Sequence, residues 1–80
     1  MTLGQHLATA RKSAGLSIDE LAARTNLRPA LLREFETNSF INAGGDTYAR
    51  GHLRSIARQC GVDAEEFIAA FDAEHAQAKR

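Results

Sequence analysis

Three arginines at strict i+4 spacing, Arg50, Arg54 and Arg58, are the most chemically suggestive residues of this 80-residue chain. On a helix such a row makes either a solvated face or a strip that grips an anionic partner, and the solvated face is the commoner meaning. Tyr48, His52 and Ile56 alternate with them and complete a candidate partner-binding set. A second basic group, Arg24, Arg28 and Arg33, lies with Ser17 farther up the chain and would suit phosphate or base contacts if the partner were DNA. Residue types for other chemistry are sparse. His6, His52, His75 and Cys60 are the soft metal donors, and no two of them stand three or four residues apart, so no metal site is expected. No glycine-rich phosphate loop and no nucleophile elbow occurs, Gly44-Gly45 reading as a turn, and neither catalysis nor a cofactor is expected.

These side chains need elements to hold them, and the elements are legible from their punctuation. In Ser17–Glu36, SIDELAARTNLRPALLREFE, Ser17 and Glu20 form a capping box that starts a short helix. Leu21, Ala22 and Thr25 share one face of it. Asn26 suits the left-handed position that ends it. Pro29 then fits the first turn of a following helix, whose Leu31, Leu32 and Phe35 form an apolar stripe up to Asn38. Two short helices joined by so tight a turn are a helix-turn-helix.

Around this pair, Thr2 and Gln5 cap a first helix over Leu3–Ala14, with Leu3, Leu7 and Ala10 inward and Gly15 beyond its end. The connection 38–45 is rich in turn formers, and its apolar Phe40 and Ile41 are expected to pin it to the core. Asp46 is expected to cap a fourth helix, Thr47–Cys60, ended by Gly61, with Ala49, Leu53, Ile56 and Cys60 as its buried seam. Asp63 caps a fifth, with Glu66 at its third position and Phe67, Ile68 and Phe71 inward. Residues 1–72 thus read as one all-α, five-helix domain, and 73–80 as a polar helical tail or the start of a linker.

Composition agrees. The chain is 44% hydrophobic with one proline, and a domain this small buries only about 60–65% of its unfolded surface, which favours a compact helical core. Its one cysteine suits a reducing compartment, and no apolar run approaches the roughly 18 residues of a membrane span. Net charge is zero, yet unevenly spread. Arg11, Lys12, Arg24, Arg28, Arg33, Arg50, Arg54 and Arg58 outnumber Asp19, Glu20, Glu34, Glu36 and Asp46, while the last twenty residues are acidic. A mildly basic body suits a polyanion or an acidic protein surface, short of the clustered basicity of a strong DNA binder.

From Leu3 to Phe71 the sequence resembles the cytoplasmic helix-turn-helix domain at the N-terminus of RodZ-like proteins. The resemblance is carried by TLGQHLATARKSAGLSIDELAARTNLRPALLREFE, by the phenylalanine of NSF, and above all by GGDTYARGHLRSIARQCGVDAEEFI. The first of these also resembles the wider Xre and phage-repressor superfamily. The resemblance implies a five-helix, repressor-like domain that binds the actin-like protein MreB, or another cytoskeletal, division or envelope protein, rather than DNA. It also implies a cytoplasmic location, with a membrane tether beyond Arg80. That family presents aromatic residues on its fourth helix where this chain has His52 and Ile56. Pro29, Ala30 and Leu31 occupy the positions from which a DNA-reading helix contacts bases, and none of them has a hydrogen-bonding side chain. The alternative is a small Xre-type regulator using Arg28 and Arg33 on bases and Ser17, Arg24 and the helix-four arginines Arg50, Arg54 and Arg58 on phosphates.

Overall fold

The computed structural model describes residues 1–75, and every regular element among them is an α-helix: α1 Leu3–Ser13, α2 Ile18–Thr25, α3 Pro29–Glu36, α4 Asp46–Cys60 and α5 Ala64–His75. None is long and apolar enough to cross a membrane. Two of the three expected capping boxes form. Thr2 Oγ1 accepts from the Gln5 amide while Gln5 Oε1 accepts from the Thr2 amide, and Ser17 and Glu20 exchange the same pair of bonds. At the start of α5, Asp63 Oδ1 instead accepts from the Glu65 amide, and Glu66 does not reach back to it. Asn26 takes the left-handed conformation at the end of α2, φ 59°, and Pro29 opens α3.

Two boundaries, the end of α1 and the start of α4, differ from expectation. α1 stops at Ser13, with Ala14 as its cap. α3 has Glu36 as its last helical residue and Thr37 as its cap, and Asn38 ends it as expected by turning left-handed, φ 67°, while the Thr37 hydroxyl bonds back to the Glu34 carbonyl. α4 begins one residue early: Gly45, φ 107°, is the cap and Asp46 is the first helical residue. Only glycine enters that backbone region readily, and an acid inside the first turn still meets the positive end of the helix dipole.

The core draws on all five helices. Phe35 and Leu53 are 0% exposed, and Leu3, Leu7, Leu21, Leu32 and Ile56 are buried with them; each such side chain contributes about 1.5–3 kcal/mol over exposure. α4 lies centrally, packed against α5, α2 and α1, with α3 held between α1 and α2. Phe40 anchors the α3–α4 connection as expected, its ring stacked 4.9 Å from Phe35 and set edge-on 5.7 Å from Phe71. Ile41 does not help: it is 84% exposed, and Ala43 is the second buried residue of the connection. A turn between them, closed by the Ala43 amide on the Phe40 carbonyl, throws Ile41 outward.

The first turn of α1 is keyed into a crevice between the ends of α3 and α5. The Gly4 amide donates to Asn38 Oδ1 and the Leu3 amide to Glu74 Oε2, while Asn38 Nδ2 donates to Glu74 Oε1. Helix α5 therefore runs on past Asp72 to His75, whose ring stacks 4.8 Å from that of Phe71; the rest of the expected tail lies outside the described residues. At the other end of α1, Arg11 forks onto Glu36 with bonds of 2.7 and 3.1 Å and donates a third to the Leu16 carbonyl. That bonded carboxylate holds the Arg11 pKa above its ordinary value.

Gly4 has no room for a side chain. A methyl there would stand 2.6 Å from the Asn38 nitrogen and 2.8 Å from the Phe35 and Glu36 carbonyl oxygens. Gly4→Ala should therefore destabilise by roughly 1–3 kcal/mol, although alanine is the better helix former, and a denaturant melt measures the loss. A second outcome concerns acid. The Ser17 amide and hydroxyl hold the Glu20 carboxyl below the usual range, so its contribution is complete at neutral pH and is lost as pH falls through that lowered value. The Ser17 amide resonance should titrate with a midpoint below the 4.5 of an ordinary glutamate, and Glu20→Gln should remove the titration.

Candidate partner-binding surface

The six candidate residues of α4 do not share one surface. An i+4 step overshoots a full helical turn by about 40°, so a row at that spacing winds around the helix instead of running along it. Arg50 lies on the side toward α5, where its Nη2 and Nε donate to Asp72 Oδ1 at 2.7 and 3.1 Å and its guanidinium sits 5.7 Å from the centre of the Phe71 ring. It clips two helices together. Arg54 and Arg58 have rotated into solvent and have no ion-pair partner among the described residues.

His52 is half-buried on the opposite flank, tilted over Phe35 with ring centroids 6.0 Å apart. Ile56 is 1% exposed, a core residue and not a contact residue. One helical turn from His52, it has come round onto the seam formed by Ala49 and Leu53, both buried, with Cys60 only partly so. Burial raises the Cys60 thiol pKa, opposed in part by nearby Arg11. Tyr48 is 66% exposed. The outward side of α4 is therefore Tyr48, Arg54 and Arg58, together with Gly51 and Ser55 between them in the helical register. Gly51 was not signalled by residue type, and the exposure of Ile41 was hidden by its apolar character.

The helix-turn-helix surface has a different chemistry. Pro29 and Leu31 are half-buried, Leu31 against the core, and Ala30 is exposed. Arg28, immediately before α3, and Arg33, on its outer side, are exposed with no ion-pair partner among the described residues. Arg24 is exposed one turn after Glu20, whose carboxyl it helps to hold low. The Ser17 hydroxyl accepts from the Glu20 amide at 3.0 Å. The first turn of α2 carries two carboxylates, Asp19 and Glu20, at the helix end that would otherwise attract a phosphate. His6, His52, His75 and Cys60 are not gathered, and the described residues contain no group of three His, Cys, Asp or Glu placed to hold a metal ion.

No solved structure matches the chain significantly. A family model described as a helix-turn-helix domain matches residues 6–67, from within α1 to the first turn of α5, and so includes the capped pair and the whole of α4. By that match the chain belongs to the helix-turn-helix domain family.

Proposed function

We propose that this is a non-catalytic adaptor domain that docks a protein partner through the outward side of α4. Its model is the cytoplasmic N-terminal domain of RodZ-like cell-shape and envelope proteins, which the sequence resembles. The partner class is then cytoskeletal, division or envelope machinery, an MreB-like protein included, met on the cytoplasmic face of the membrane.

One observation carries this reading: the end of the motif that would face a DNA groove is poorly equipped for it. α3 opens with Pro29-Ala30-Leu31, which offers a base edge no donor or acceptor, and α2 opens with Asp19 and Glu20, which repel a phosphate. The exposed Arg24, Arg28 and Arg33 support the second reading, a small Xre-type regulator, because they supply positive charge without a partly buried role. Backbone contacts by three arginines give non-specific affinity and leave sequence unread.

A salt titration on random and genomic duplex DNA separates the two readings. The adaptor reading expects binding no tighter than about 10⁻⁴–10⁻⁶ M at physiological salt, without sequence preference. Submicromolar, sequence-selective binding with a steep salt slope would make the protein a regulator instead. In the same series Arg54→Glu should weaken capture of an MreB-like protein while leaving the thermal unfolding curve in place, since Arg54 bears on no neighbour.

A further inference from the structure

The fold gives no reason for a glycine at position 51. It lies in the middle of a fifteen-residue helix, on the solvent side, outside the positive-φ residues, and a methyl built on it meets no atom within 4 Å. Such a residue costs a helix about 1 kcal/mol relative to alanine. What it provides is clearance, a place where another backbone can approach closely.

Its neighbours on the same side say what approaches. Tyr48, one turn before, offers a largely exposed ring beside the Gly44 backbone. Arg54, one turn after, and Arg58 beyond it present two positive charges that nothing in the described structure neutralises, whereas Arg50 is spent on Asp72. Asp46, at the start of α4, is the helix's single carboxylate. Two cations one turn apart match carboxylates at the same spacing on a second helix. A duplex would be held by the arginines alone, with no use for the clearance at Gly51.

We infer that the Tyr48–Gly51–Arg54–Arg58 side of α4 receives an acidic helix of a partner protein, whose backbone crosses at Gly51 and whose carboxylates pair with Arg54 and Arg58. The inference rests on the adaptor reading and specifies the partner's chemistry.

The test uses the isotope-labelled chain, titrated with an alanine-rich helical peptide carrying Glu at i, i+4 and i+7, with matched Gln and Lys peptides, and with a random duplex. Amide shifts confined to residues 48–58 with the Glu peptide are expected, with roughly tenfold weaker binding of the Gln peptide and none of the Lys peptide. The double reversal R54E/R58E should abolish the shifts. Gly51→Ala should raise the unfolding midpoint by about 4–8 °C while weakening the peptide, and Gly51→Gln should stay folded and lose it. Equal binding of Glu and Gln peptides, or undiminished binding by Gly51→Gln, overturns the inference. Glu-peptide shifts on another face overturn it too, while leaving the adaptor reading intact. Tight duplex binding with shifts at Arg24, Arg28 and Arg33 overturns both.

Discussion

The arrangement depends on the first turn of α1 lying directly on the backbone at the end of α3. That approach is open only because residue 4 has no side chain. It puts the leading amides of α1 where Asn38 and Glu74 accept from them, so groups that a helix terminus leaves unpaired are satisfied by the ends of two other helices. A carboxylate at the positive end of a helix dipole is also favourable electrostatically. The Arg11–Glu36 fork then fixes the far end of α1 to the same helix, α3, and its third bond holds the loop that leads into α2. With α1 held at both ends, the short helices α2 and α3, each of eight residues, are positioned by packing; helices of that length have little stability of their own.

This scaffold leaves α4 with two distinct sides. The inward one supplies Ala49, Leu53, Ile56 and Ala57 to the core, and Arg50 is turned toward α5 by its bond to Asp72. The outward one has little structural duty. A glycine on the outward side costs the helix stability, and natural proteins give up stability of this kind where function requires it.

The charge distribution belongs to the same division. Carboxylates at Glu36, Asp72 and Glu74 are used inside the domain, each against a cation or a helix terminus. Arg28, Arg33, Arg54 and Arg58 are left to solvent. A chain with no net charge thereby presents a locally basic exterior on its longest helix, which bulk composition conceals.

Local chemistry was legible from the order of residues. Thr2, Ser17, Asn26, Pro29 and Gly61 mark helix ends because capping and backbone preference act over three or four neighbours, and the apolar spacing in each helix identified most of the core. Positions that depend on distant neighbours were not legible. Nothing around Gly4 in the chain announces the end of α3 above it, nothing around Ile41 says that the turn will throw it outward, and the even spacing of Arg50, Arg54 and Arg58 hides their different surroundings. Those outcomes are set when one helix is laid against another at a particular rotation, since a few tens of degrees about the axis decide whether a side chain meets a carboxylate, a ring or water. The linear chain thus specified five helices and their ends; the packing of those helices chose which of their arginines remain available to a partner.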